Sequence, residues 1–208
     1  MRPTFPNHRH ASAGDYLDHY FAELTVALAS INRAQLDAAV AILADAHKRD
    51  ATIFSCGNGG SASIANHMVC DHQKGVNADT SLRPRVISLS SNVEVITAVT
   101  NDIGFADVFA FPLRIHGRKG DVLVAVSSSG DSENIVRAVT AASELGMESI
   151  VLTGFDGGRS RKLATASIHV DGWNYGVVED AHQACMHVMA QYLRHAAIDD
   201  ELLGTRRF

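Results

Sequence analysis

The 208-residue sequence holds only three cysteines, Cys56, Cys70 and Cys185. An odd count without framework spacing excludes a disulfide-stapled secreted scaffold and predicts reduced thiols in the cytoplasm. Cys56 and Cys70 are expected as buried small side chains. No apolar run approaches the length needed to cross a bilayer, so no membrane partner is expected. The opening stretch MRPTFPNHRHASAGD lacks the apolar centre of a secretory signal. A basic excess is also missing. Lys and Arg total 18 against 23 Asp and Glu, a formal charge of −5, which excludes a general nucleic-acid binder. What is present is ordinary globular composition, 46 % apolar and 20 % charged, which excludes disorder. A chain of this length buries roughly 70 % of its unfolded surface and can stand as one domain. The expected organisation is a flexible tail over 1–12, a single domain over 13–198, and a C-terminal tail over 199–208, with Glu201–Phe208 expected to fray.

From Asp15 onward, Leu17, Tyr20, Phe21, Leu24, Leu28 and Ile31 recur at helical spacing. Asn32 is a plausible cap for a second helix that carries Leu36, Ala39, Val40 and Leu43 on one face. The two helices make an N-terminal helical hairpin. The rhythm then changes. Short apolar runs at Thr52–Cys56, Val86–Leu89, Val122–Val126, Ile150–Thr153 and Ile168–Val170 read as strands covered on both faces. Helical stretches fall between them, near 61–73, 92–99, 132–145 and 158–164, and a last helix spans roughly 178–197. This alternation predicts an α/β protein with a five-stranded parallel sheet between helical layers. Arg114–Lys119 is expected as a solvated turn before a strand.

Ligands of such sheets bind at the carboxyl ends of the strands. Two strand ends stand out. Ser55 to Ala62 is a glycine-rich passage from strand to helix, where backbone can approach a ligand and a helix start offers N–H groups. The same passage also describes a tight turn that binds nothing. Its glycine spacing resembles a dinucleotide loop, but the next strand ends in Ser88 to Asn92 without an acid, so no nucleotide cofactor is expected. The second strand end carries Ser127, Ser128, Ser129 and Ser132 around another helix start, a grouping suited to phosphate.

His67 and Asp71 share a helix face and can bind a metal, transfer protons, or simply pair at the surface. Glu179 and His187 lie on the last helix, about 12 Å apart along its axis. One metal can join them only if Glu179 precedes the regular helix or comes from another subunit.

Taken together, GNGGSAS, ANHMVCD, TND, SSSGDS and EDAHQACMH resemble the motifs of the sugar isomerase (SIS) domain family, and within it the phosphoheptose isomerases. The resemblance spans about residues 15–197. It implies a three-layer αβα flavodoxin-like fold and a homotetramer with active sites between subunits. It also implies isomerisation of sedoheptulose 7-phosphate to a heptose 7-phosphate through an enediol. By motif, Asn58, Gly59, Gly60 and Ser61 line the sugar phosphate. Ser127, Ser128, Ser129 and Ser132 hold its phosphate, and Asn101, Asp102 and Glu179 contact the sugar. Zinc, or another divalent ion, falls to His67, Asp71, Glu179 and His187. Asp71 is then the base at carbon and His187 the acid at the carbonyl oxygen. A carboxylate that ligates metal is a poorer free base, so the two roles of Asp71 compete.

The chain departs from the family pattern around the sugar. Asp71 replaces a longer Glu, Glu179 a Gln, Gly75 an Arg and Asn174 an Asp. These changes leave room for an isomerase or epimerase of another sugar phosphate. A non-catalytic relative that binds a protein partner is the third alternative. His182, Trp173 and Tyr175 are expected to pack near the site.

Overall fold

The computed structural model describes residues 4–208. Helices α1 (Ala13–Ala29) and α2 (Arg33–Lys48) form the hairpin. Strand β1 (Thr52–Gly57) leads to α3 (Gly60–Cys70), which continues as a π-helical turn over Asp71–Val76. Next come β2 (Arg85–Ser88), α4 (Val93–Asp102), α5 (Ala110–His116) and β3 (Val122–Ser127). The chain finishes through α6 (Glu133–Glu144), β4 (Glu148–Thr153), α7 (Ser160–Leu163), β5 (Ala166–His169) and α8 (Tyr175–His195). All strand pairs are parallel, in the order β2-β1-β3-β4-β5. This is the flavodoxin-like order, whose direction of winding reverses between β1 and β3.

Every residue of β3 is buried, because helices cover both faces of the central strand. One apolar layer joins Ala39 and Leu43 of α2, Ile64 and Met68 of α3, and Val178, Met186 and Met189 of α8. The other joins Val99 of α4, Leu113 of α5, and Ile135, Ala138 and Val139 of α6. Polar caps set several helix starts. Ser12, Asn32, Asn92 and Asn174 each accept from the backbone N–H three residues on. Asn174 also donates to the Phe5 carbonyl, so it fastens the start of α8 to the N-terminal segment.

Two expectations change. Arg114–His116 ends helix α5 rather than forming a turn, and only Gly117 to Asp121 is the connection to β3. Cys70 is exposed at the end of α3, whereas Cys56 is buried in β1. The π-helical turn shifts the helix face there, sending His72 inward to 1 % exposure. The C-terminal residues make defined contacts. Arg194, 6 % exposed, donates to the Arg207 and Ala78 carbonyls, pairs with Asp79 at 2.9 Å, and lies 4.6 Å from the Phe208 ring centre. At the other end, residues 1–3 of the expected tail fall outside the described residues. Phe5 packs on Tyr16 and Tyr20. Among the described residues, no single helix is long and apolar enough to cross a membrane.

Candidate active site

The glycine loop and the serine loop leave adjacent strands, β1 and β3, at the point where the winding reverses. There α3 and α6 depart to opposite faces and open a crevice at the strand ends. Gly59 adopts φ +55, a backbone shape that other residues rarely take. Gly60 lies so close to the Glu179 carboxylate that any Cβ would collide with it. Asn58 and Asn134 bridge the two loops, and Ser90 exchanges hydrogen bonds with both the N–H and the carbonyl of Gly57.

A cavity of about 220 Å³ opens between these loops. Asn58, Ser61, Ser127, Ser128, Ser129 and Ser132 line it, joined by Tyr175 and Glu179 of α8. The Ser128 hydroxyl is buried and has no hydrogen-bond partner in the protein. Ser132 starts α6 without using its hydroxyl as a cap. The loop therefore presents free donors beside a helix N-terminus, the arrangement that receives an oxyanion. Burial, with Asp180 beside it, raises the Glu179 carboxyl above its ordinary range, so it protonates more readily than a free glutamate.

A second cluster lies further along α8. His67 Nε2 is 3.0 Å from Asp71 Oδ1, and His187 Nδ1 is 3.0 Å from Asp71 Oδ2. The two rings stand nearly perpendicular, 5.0 Å apart. The start of the π-helical turn carries Asp71, and α8, packed on α3, carries His187. Gln183 Nε2 is 3.0 Å from His187 Nε2 and sets the ring orientation. Asp71 Oδ2 is buried, and its approach to His187 lacks hydrogen-bond alignment. A larger cavity, about 490 Å³, adjoins this triad and is lined by Asp71, Lys74, Gly75, His187, Arg194 and Arg206.

Of the four proposed metal ligands, three converge. His67, Asp71 and His187 each bring a ligand atom within 4.8 Å of the others. Glu179 is not among them within one chain. It lies inside the regular part of α8, about 12 Å along the axis from His187, and faces the serine cavity instead. Asn101 and Asp102 are exposed at the far end of α4, paired with each other at 2.6 Å, and line neither cavity. Helix α4 carries Asn101 about 12 Å from Val93. Tyr175 is 63 % exposed, lines the serine cavity and meets Phe155 edge-on at 4.9 Å, while Trp173 stacks on the same Phe155 ring. His182 is fully buried, and burial pushes its ring down to about 4. Sequence reasoning missed Asn134 and Ser90, whose partners lie far away along the chain.

The SIS domain family model matches residues 19–154. The phosphoheptose isomerase of Vibrio parahaemolyticus is 37 % identical over 164 residues, 78 % of this chain and 84 % of that protein. The phosphoheptose isomerase of Escherichia fergusonii is 36 % identical over 157 residues, 74 % of this chain and 80 % of that protein. Among solved structures, the phosphoheptose isomerase of Neisseria gonorrhoeae superposes with a TM-score of 0.81 at 30 % identity, covering 88 % of this chain and 100 % of its own. That of Francisella tularensis superposes at 0.80 with 28 % identity, covering 88 % and 99 %.

Proposed function

The chain belongs to the SIS domain family, and from that membership we propose that it is an aldose–ketose isomerase of the phosphoheptose type. In this reading sedoheptulose 7-phosphate becomes a heptose 7-phosphate through an enediol. One observation carries the reading: Glu179 at the serine cavity and His187 of the triad stand on the same helix, about 12 Å apart along its axis. A sugar phosphate in open-chain form can then leave its phosphate at one end and its carbonyl at the other.

The chemistry follows from the groups at each end. The phosphate takes the free hydroxyls of Ser128 and Ser132 and the start of α6. At the other end, a proton must leave one carbon and return to its neighbour, while a second moves between their oxygens. Asp71 takes the carbon-bound proton as a carboxylate. His187 moves the proton at the carbonyl oxygen, held in orientation by Gln183. Glu179 bonds a sugar hydroxyl at the serine-cavity end.

The triad fits a divalent metal, zinc first. Two imidazoles and a carboxylate are a zinc donor set with a fourth position open, and Asp71 Oδ2 is a buried acceptor without a partner. Bound there, zinc would polarise the carbonyl as a Lewis acid. Gln183 can turn its amide to accept from His187 Nε2–H, which leaves Nδ1 to ligate or to move the proton at the carbonyl oxygen, two roles that exclude each other.

Assembly as a homotetramer is supported by exposed apolar side chains: Leu17 and Phe21 on α1, Ile103 and Phe105 after α4, and Val188 and Tyr192 on α8. A neighbouring copy can bring Asn101 and Asp102, or a second Glu179, to the site. Free thiols at Cys56, Cys70 and Cys185 support a cytoplasmic setting.

A second reading, the same reaction on a different sugar phosphate, is favoured by Gly75. Nothing lies within 4 Å of the place its side chain would occupy, beside the cavity that touches Asp71. The test is turnover of sedoheptulose 7-phosphate by the full chain, with and without zinc, beside a panel of shorter ketose and aldose phosphates. Turnover of the heptulose supports the first reading, and turnover of only a shorter sugar supports the second. No turnover of any panel member by folded protein refutes both.

A further inference from the structure

We propose that His8, His10 and His19 form a second divalent-metal site, which clips the N-terminal segment to α1. Each of the three brings one ligand atom within 4.8 Å of the other two. His8 and His10 stack with ring centres 4.4 Å apart, and His10 meets His19 edge-on at 4.8 Å. Both His8 and His19 turn Nδ1 toward a side-chain oxygen, within hydrogen-bond distance for His8 and beyond it for His19. His8 Nδ1 lies 2.5 Å from Asn7 Oδ1, and His19 Nδ1 lies 3.7 Å from Asp15 Oδ1. Contacts at Nδ1 leave Nε2 to the metal, as second-layer partners of metal-bound histidines do. Asp15 is itself fixed, since its Oδ2 accepts from the Ala11 N–H.

His10 supplies a further sign. Its Nε2 is buried yet has no hydrogen-bond partner. Phe5 and Tyr16 wall the ring, with centres at 5.9 and 5.0 Å. A buried ring nitrogen facing two other imidazoles is satisfied by an ion between them. Three neutral imidazoles suit zinc, nickel or copper and disfavour magnesium or calcium.

The site is separate from the triad, whose residues lie on α3, the π-helical turn and α8. It still touches the same framework. Tyr20 follows His19 and donates to Asp180 at 2.6 Å, and Asp180 adjoins Glu179. The clip therefore secures the helix that braces α8 at the serine cavity.

The test is calorimetric titration of zinc chloride into the full chain carrying His67→Ala and His187→Ala. That background removes the triad, so the outcome does not depend on whether the triad binds metal. One equivalent per chain is expected, with affinity falling about 100-fold on adding His10→Ala or His19→Ala. Magnesium should give no such uptake. Zinc should also slow tryptic cleavage after Arg9, and this protection should vanish with His10→Ala. In the parent chain, His10→Ala should lower zinc stoichiometry by one. Absence of uptake in the triad-free background overturns the proposal, as does uptake indifferent to both His10→Ala and His19→Ala.

Discussion

Asn58 and Asn134 exchange two amide hydrogen bonds, of 3.0 and 2.8 Å, across the crevice between β1 and β3. Each amide gives its N–H to the other's carbonyl oxygen, so the glycine loop and the first turn of α6 hold a fixed spacing. Both loops face the serine cavity, and their spacing sets its width.

Replacing Asn134 with Ala should therefore loosen the cavity as well as the fold. Asn134 is 2 % exposed, and the change leaves the Asn58 amide unmatched. A loss of about 2 kcal/mol is expected from two buried hydrogen bonds. KM for the sugar phosphate should rise about tenfold with a smaller change in kcat, because the loops bind rather than react. Urea denaturation and steady-state kinetics report the two effects. An unchanged KM in a destabilised variant would detach the amide pair from substrate binding.

Ser128 predicts the opposite balance. Its hydroxyl is buried without a protein partner, so Ser128→Ala removes no internal hydrogen bond. Stability should stay within about 0.5 kcal/mol or rise. KM should nonetheless rise about tenfold, since the lost donor faces the phosphate. Ser128→Asp should abolish binding by placing a carboxylate against the anion. If Ser128→Ala destabilises the protein and spares KM, the hydroxyl belongs to the fold and not to the ligand.

The two ligand loops were legible in the sequence because strand ends are marked locally. Short apolar runs stop at Gly57 and Ser127, and each is followed by small residues and a helix start. The parallel order was legible for the same reason, through alternation of strand and helix. What stayed hidden depends on distant partners. Helix α5 is only seven residues long and contains Pro112, so no periodicity announces it. The exposure of Cys70 and the burial of His72 follow from the π-helical turn, which shifts the helix face within two residues. The C-terminal residues are ordered by Arg194, through contacts that no local pattern encodes. Within the site, the i, i+4 spacing located His67 and Asp71, but the sequence could not aim Glu179. The collision that any Cβ at Gly60 would cause shows that Glu179 is fitted against the glycine loop, away from the triad.

Asp71→Asn should separate chemistry from folding. The carboxylate sits 3.0 Å from each of two imidazoles at the surface end of the crevice, and Asn keeps its volume. An amide cannot take the carbon-bound proton, so kcat should fall by about 10²–10⁴ with KM changed much less. Metal content measured on the same samples distinguishes the two roles of Asp71. Retained zinc with lost turnover assigns it as the base; lost zinc with turnover restored by excess metal assigns it as a ligand. Unaltered turnover would remove Asp71 from the reaction.

Acid stability should be governed by buried histidines outside the triad. His72 Nδ1 lies 3.3 Å from His47 Nε2, both rings are buried, and burial with the neighbouring ring pushes His72 down to about 3. Burial also lowers His47 and, deep under β4, brings His182 to about 4. In the unfolded chain each titrates near 6.5, so below that pH the unfolded state binds protons that the native state refuses. Stability is therefore full above about pH 6.5 and falls as pH drops toward 4, at up to about 1.4 kcal/mol per pH unit for each such histidine. Urea midpoints at about pH 8 and about pH 5 measure this slope. His72→Leu keeps an apolar filling of similar size and should flatten the slope by the share of one histidine. His47 and His182 maintain the remainder. A His72→Leu slope equal to that of the parent would mean that the buried pair takes up its proton without unfolding.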